Sequence, residues 1–363
     1  MSILIFIIVL AILVLVHEFG HFIVAKKSGV RVDEFGIGFP PKLLTLFKWK
    51  GTNFTLNLIP FGGFVRIFGE NPTDEPTSPE EEKSHFTHKP KKVQALILSA
   101  GVLMNLLFAW LLISVGFIYG LPSPQSPDMP DNVTDVHLVV TSVLPDSPAF
   151  ESGLKIGDTI ESVSLGEDLV EEINPDTVSE FISQQDEPIS FIVERGEEVL
   201  ELSINPKEGV VEGKKAIGIS MSMIGTLKLP IHMAFWEGTK TTATLLWAIF
   251  TGLISLIGQM IVGQADLSQV AGPVGIVGLV GDASQLGFIY LLQFTAFISL
   301  NLVVINLIPF PALDGGRLLF LLIEVVKGSE INPKVANTLN AIGFLLLLLF
   351  LLLITISDLS KIF

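Results

Sequence analysis

His17-Glu18-Phe19-Gly20-His21 stands inside an apolar run that covers residues 3–25. On a helix, residues four apart lie on one face, so both imidazoles can reach one ion. Glu18 projects beside them and can act as general base on a water molecule. An ionisable side chain at mid-membrane costs roughly 2.5–3.5 kcal/mol. A cluster of three therefore needs a compensating ion or a water-filled cavity; the plainer alternative is a polar patch that pairs helices. The stretch sets two expectations at once: a helix that spans a membrane, and a metal site within it.

The rest of the chain agrees with a membrane setting. Of 363 residues, 49% are hydrophobic and 16% are charged. The charged share lies below the roughly 25% of soluble domains. This excludes a disordered chain and an ordinary soluble enzyme, and a net charge of −15 without a basic stripe excludes a nucleic-acid partner. There is no cysteine, so a transition metal must be held by His, Asp or Glu. Residues 93–119, 287–308 and 341–356 form further apolar runs near the length of about 20 residues that a span needs. Residues 3–25 lack the positive start and cleavage pattern of a signal peptide, so a retained helix is expected. Residues 245–262 follow Glu237, Lys240 and a Thr-rich turn, and are expected to form an amphipathic helix lying on or dipping into the membrane. Residues 26–92 carry 11 Lys/Arg, whereas residues 120–232 carry 6 against 21 Asp/Glu. The positive-inside rule then places 26–92 and 309–340 in the cytoplasm, with the acidic block and the N-terminus outside.

Two histidines leave a catalytic zinc site incomplete, since three protein ligands plus water is the common arrangement. The strongest third candidate is Asp314, in Asn306-Leu307-Ile308-Pro309-Phe310-Pro311-Ala312-Leu313-Asp314-Gly315-Gly316. The prolines break the helix and the glycines permit turns. Unwound backbone at membrane depth is tolerated where it lines a cavity or is buried in protein. The alternative is a cytoplasmic turn in which Asp314 caps a helix. For Asp314 to reach the histidines, runs 3–25 and 287–308 must be parallel. With 93–119 returning between them, this favours four spans.

Residues 120–134, rich in Pro, Ser and Asp, read as a linker. Residues 135–206 read as a soluble module, with strands at 137–143, 159–163, 189–194 and 199–204 and a helix near 177–184. Its Val143-Leu144-Pro145-Asp146-Ser147-Pro148-Ala149 and Gly153-Leu154-Lys155-Ile156-Gly157-Asp158-Thr159-Ile160 resemble the bacterial PDZ signature. Such a domain captures peptides by strand addition, or blocks access by its bulk.

Taken in order, His17 to His21, Phe61-Gly62-Gly63-Phe64-Val65, Gly101 with Asn105, the PDZ signature, Gly272-Pro273-Val274-Gly275-Ile276 and Asn306 to Gly316 resemble the site-2 proteases. These are intramembrane zinc metalloproteases, and the likeness is to the bacterial regulator of sigma-E protease type, with a single PDZ domain. The resemblance implies zinc held by His17, His21 and Asp314, with Glu18 activating water. It implicates Asn301 and Asn306 in handling a substrate helix; interhelical hydrogen bonding would explain them equally. It pairs residues 54–58 with 64–68 as a membrane-associated β-hairpin, Phe64 included, whose edge strand meets an unwound substrate; a purely structural hairpin is the alternative. Gly101-Val102 stands where the family often has Gly-Pro. The implied fold is a multi-pass α-helical membrane protein of four transmembrane helices, with that hairpin in region 52–69 and an inserted extracytoplasmic PDZ-like α+β domain. Residues 1–119 and 286–363 form its membrane parts, 120–134 the linker, 135–206 the PDZ-like domain and 207–285 a following segment with the amphipathic helix. Implied partners are the lipid bilayer of a bacterial cytoplasmic membrane and single-span membrane proteins, such as anti-sigma factors or signal-peptide remnants. Two other functions would use the same residues: a non-catalytic PDZ scaffold with structural metal, and a metal transporter.

Overall fold

The computed structural model describes residues 1–70, 76–124, 133–166, 168–196, 198–211, 214–264 and 271–362. The chain opens with α1 (Ser2–Lys27), β1 (Val32–Trp49), β2 (Thr52–Ile67), α2 (Pro79–Lys83) and α3 (Lys91–Tyr119). Next come β3 (Leu121–Pro124), β4 (Val133–Val143), α4 (Pro148–Glu151), β5 (Thr159–Leu165), β6 (Asp168–Leu169), α5 (Pro175–Gln184), β7 (Ile189–Arg195), β8 (Glu198–Ile204), β9 (Lys207–Val211), β10 (Lys214–Ala216) and β11 (Ile219–Leu227). The last part is helical: α6 (Ile231–Val262), α7 (Pro273–Gln285), α8 (Phe288–Leu307), α9 (Asp314–Lys327) and α10 (Pro333–Ile362). Two compact units result, one of Met1–Ile113, Gly238–Asp282 and Gln293–Phe363, the other of Ser114–Glu237 and Ala283–Leu292.

In the first unit, five helices among the described residues are long and apolar enough to cross a membrane, counting those that run into the second: α1, α3, α6, α8 and α10. A helix bonds its own backbone internally, the condition for lying in lipid. One of these, α6, starts earlier than the sequence expectation. Residues 245–262 are the second half of one unbroken helix, α6, and Glu237 and Lys240, read as a boundary, sit in its first turns. Charged residues near a helix end do not interrupt it, because their side chains reach past the apolar stretch. At the other end of this part of the chain, Asp358 of α10 accepts hydrogen bonds from the Gly272 amide at 3.2 Å and the Gly275 amide at 2.8 Å. The Gly-Pro-Val-Gly stretch thus opens α7 against a buried carboxylate.

The expected hairpin is also corrected. Residues 54–58 do not pair with residues 64–68. Instead, residues 34–37 of β1 lie between them, matching Phe35 to Val65 on one side and to Phe54 on the other. Residues 42–49 then pair outside 52–57. The alternation in 54–58 signals a strand but carries no information about which neighbour it takes. Phe22 of α1 holds this sheet, its ring edge-on to Phe35 and Phe54 at 5.6 and 5.5 Å between centroids. The strand of residues 63–67 pairs only with the 32–37 stretch, so its other edge is open among the described residues.

The second unit is an antiparallel sheet in the order β3-β11-β4-β5-β7-β8, with β6 on β5. Its core joins Leu138, Ile160, Phe191 and Val193 of the sheet to Val178 and Ile182 of α5. Asp158 is fully buried and held by Arg195 in two bonds, Nε to Oδ1 at 2.6 Å and Nη2 to Oδ2 at 2.7 Å. A planar fork of this kind satisfies a buried carboxylate on both oxygens. The strands extend past the expected 135–206 limits, because β11 pairs with β4 and β3 with β11. Residues 125–132, most of the expected linker, lie outside the described residues.

Candidate metal centre

His17 and His21 stand one turn apart on α1, and their Nε2 atoms are 3.2 Å from each other. Asp314 Oδ2 lies 2.9 Å from His17 Nε2 and 3.4 Å from His21 Nε2. Among the described residues, this is the one group of three or more His, Asp or Glu side chains close enough to share an ion. Tetrahedral ligands at about 2.0–2.2 Å from zinc sit roughly 3.3–3.6 Å from one another. The observed triangle is within a few tenths of an ångström of that spacing. Asp314 Oδ2 is buried and receives no well-directed hydrogen bond. Two ring nitrogens and a carboxylate oxygen pointing at one another are the donor set for a cation. Burial works to raise the Asp314 carboxyl, yet the two imidazoles beside it hold it well below the usual carboxylate range.

Backbone shape puts Asp314 there. The chain leaves α8, bends at Ala312 with a φ of 77°, and enters α9 at Asp314. A non-glycine residue in the left-handed region costs of order 1 kcal/mol or more and persists where its surroundings hold it. Here the Ala312 amide donates to Asn340 Oδ1 at 3.1 Å, which fixes the bend to α10.

The histidine rings are oriented from α3. His21 Nδ1 donates to the Ile97 carbonyl at 2.8 Å. A carbonyl only accepts, so the proton sits on Nδ1 and Nε2 keeps its lone pair for the ion. His17 Nδ1 faces Asn105 Nδ2 at 3.4 Å, while Asn105 Oδ1 is buried without a partner. Turning the amide by half a rotation lets Oδ1 accept from the His17 Nδ1 proton. Replacing Asn105 with Leu is expected to weaken zinc affinity by about 10–100-fold, the usual loss when a ligand's orienting partner goes. Competition against a chelator measures this, and unchanged affinity would remove Asn105 from that role. Close approach of the two helices demands glycine on both. A Cβ on Gly101 would stand 2.3 Å from His21 Nε2, and one on Gly20 would stand 2.3 Å from the Ala100 carbonyl oxygen.

The triangle opens into a cavity of about 510 Å³, walled by Glu18, Glu34, Glu70, Leu98, Arg317 and strand residues 64–67. Glu18 lies under that strand, close enough that a Cβ on Gly63 would be 3.9 Å from its Cγ. Phe64 is on the wall. Asn301 and Asn306 are not among the lining residues; the Asn301 amide donates to the Phe297 carbonyl of its own helix at 2.8 Å. Sequence reasoning missed Glu34, Glu70 and Arg317. Only Arg317 left a signal, standing three residues after Asp314 and hence on the same helix face.

Comparison with known proteins extends this picture to the whole chain. The model of peptidase family M50 matches residues 5–350. The regulator of sigma-W protease RasP of Bacillus subtilis is 30% identical over an alignment 436 positions long, covering 99% of this chain and 98% of that protein. The zinc metalloprotease RasP of Geobacillus kaustophilus is 30% identical, covering 100% of this chain and 98% of its own. The regulator of sigma-E protease RseP of Salmonella typhimurium is 29% identical, with 98% of both covered. Likeness that runs through both membrane parts and the sheet unit between them leaves one conclusion: this chain belongs to peptidase family M50 and is a zinc metalloprotease.

Proposed function

We propose that the protein cleaves the transmembrane segments of single-span membrane proteins, with His17, His21 and Asp314 as the zinc ligands and Glu18 as the catalytic base. The observation that carries this reading is the closing of Asp314 onto two histidines of an apolar, membrane-length helix. Zinc, when bound, polarises the scissile carbonyl and makes water a better nucleophile. The Glu18 carboxylate accepts the water proton and delivers it to the departing amide nitrogen. A substrate helix hides its amides in its own hydrogen bonds, so it must first unwind. The open edge of residues 63–67 can take up the freed backbone by strand addition, with Phe64 against a substrate side chain.

The membrane arrangement we infer is supported by the same contact. His17 and His21 lie toward the C-terminal end of α1, and Asp314 follows the C-terminal end of α8. Those helices therefore run parallel, and α3 returns between them. An even number of crossings must separate α3 from α8. We take it as zero, with α6 peripheral and four spans in all. The N-terminus and the sheet unit, read as a single PDZ-like domain, then face outward from a bacterial cytoplasmic membrane.

The test is cleavage of a single-span substrate by the purified full chain in lipid vesicles. Chelation is expected to stop it and zinc to restore it. Mass spectrometry should place the cut inside the apolar segment; cuts confined to soluble regions would defeat the reading.

A further inference from the structure

Beside the catalytic cavity lies a second one of about 380 Å³, formed by residues around the starts of α3 and α10 and along α9. Three residues line both: Glu70, Leu98 and Arg317. Glu70 and Arg317 meet in an ion pair between Oε1 and Nη1. The Glu70 side chain is 15% exposed and that of Arg317 40%. Several other polar groups of the second cavity's wall are held in place. Lys91 pairs with Glu324 at 2.7 Å, Glu324 also accepts from the Ile331 amide at 3.0 Å, and Gln94 donates to the carbonyls of Thr87 and Lys89. The Glu70 and Arg317 side chains pair with each other, and Arg317 also lies in the field of the Asp314 and Glu18 carboxylates.

We propose that the Glu70–Arg317 ion pair is a gate between the two cavities. Formed, it separates them; broken, it opens a polar passage from the second cavity to Glu18 and the metal ligands. Glu70 follows the open-edged strand by three residues, and Arg317 follows Asp314 by three. Each half of the gate is thus carried by an element that builds the catalytic cavity. A partly exposed ion pair suits the purpose, since it is strong enough to stay closed and weak enough to open.

The inference stands on the cavities and not on any substrate, so its test reads access and not cleavage. The chain has no cysteine, and a lone Val65→Cys reporter lines the first cavity but not the second. The full chain in lipid nanodiscs, with zinc bound, is treated with a charged methanethiosulfonate reagent. Glu70→Gln and Arg317→Gln should each raise the labelling rate about tenfold, the scale set by loss of a half-buried ion pair. The exchanged pair, Glu70→Arg with Arg317→Glu, should bring it back toward the parent rate. Ala336→Trp, placed in the wall of the second cavity, should cancel the rise caused by Glu70→Gln. Zinc content measured on the same samples reports whether each variant keeps its metal centre. Rates unchanged by either neutralisation overturn the gate. A rise that Ala336→Trp does not slow shows entry by another route, and overturns it too.

Discussion

Glu18→Gln should lower cleavage by about 10²–10⁴-fold, the range that a positioned acid–base group supplies, while zinc stays at the parent level. The substitution keeps size, shape and a polar head, and changes only the capacity to take up a proton. His17 and His21 flank Glu18 on α1 but point to the triangle with Asp314, which the change does not touch. The expected loss corresponds to about 3–5 kcal/mol on the barrier at 1.36 kcal/mol per decade. Glu18→Asp separates position from chemistry, because it keeps the carboxylate and withdraws it by one methylene. It should retain part of the rate, less than the parent and more than Gln. The measurement is single-turnover cleavage of a labelled single-span protein, with bound zinc determined on the same samples. Full turnover by Glu18→Gln would take the base role away from this residue.

How far the sequence alone could reach depends on the range of each interaction. His17 and His21 are legible because four-residue spacing on a helix is local geometry, and the surrounding apolar run makes their cost conspicuous. Asp314 is legible because two prolines and two glycines at the end of a span announce a break. Its bend at Ala312 and the brace from Asn340 are not, since they depend on α10 arriving alongside. The strand at 54–58 shows in its alternation, but its neighbour does not. Residues 34–37 carry no sign that they will lie between two later strands. Likewise β11 pairs with β4 across more than seventy residues, and nothing near Ile219 says so. Glu70 and Arg317 are ordinary surface-type residues in sequence and become neighbours only when the sheet and α9 meet. Local signals thus recover the His17–His21–Asp314 triangle, while pairings made across the chain determine what surrounds it.

Asp314→Ala tests the closing of that long-range contact, and its expected effect falls on the metal. Loss of an orienting partner costs a zinc site about 10–100-fold in affinity, so loss of a ligand should exceed the upper end of that range. Zinc should therefore leave the variant under washing that the parent withstands. The fold has little reason to fail, since removing one acidic residue from the first turn of α9 costs about 0.3–1 kcal/mol. Asp314→Asn keeps an oxygen in place without its charge and should bind zinc more weakly than the parent but better than Ala. The double change Glu18→Gln with Asp314→Ala then distinguishes a shared centre from two separate defects. Groups that act as a unit are not additive. If Glu18 works only on water held beside the ion, the double variant should cleave no more slowly than Asp314→Ala alone. Multiplying losses would mean that Glu18 contributes without the metal, and metal content unchanged by Asp314→Ala would remove Asp314 from the ligand set.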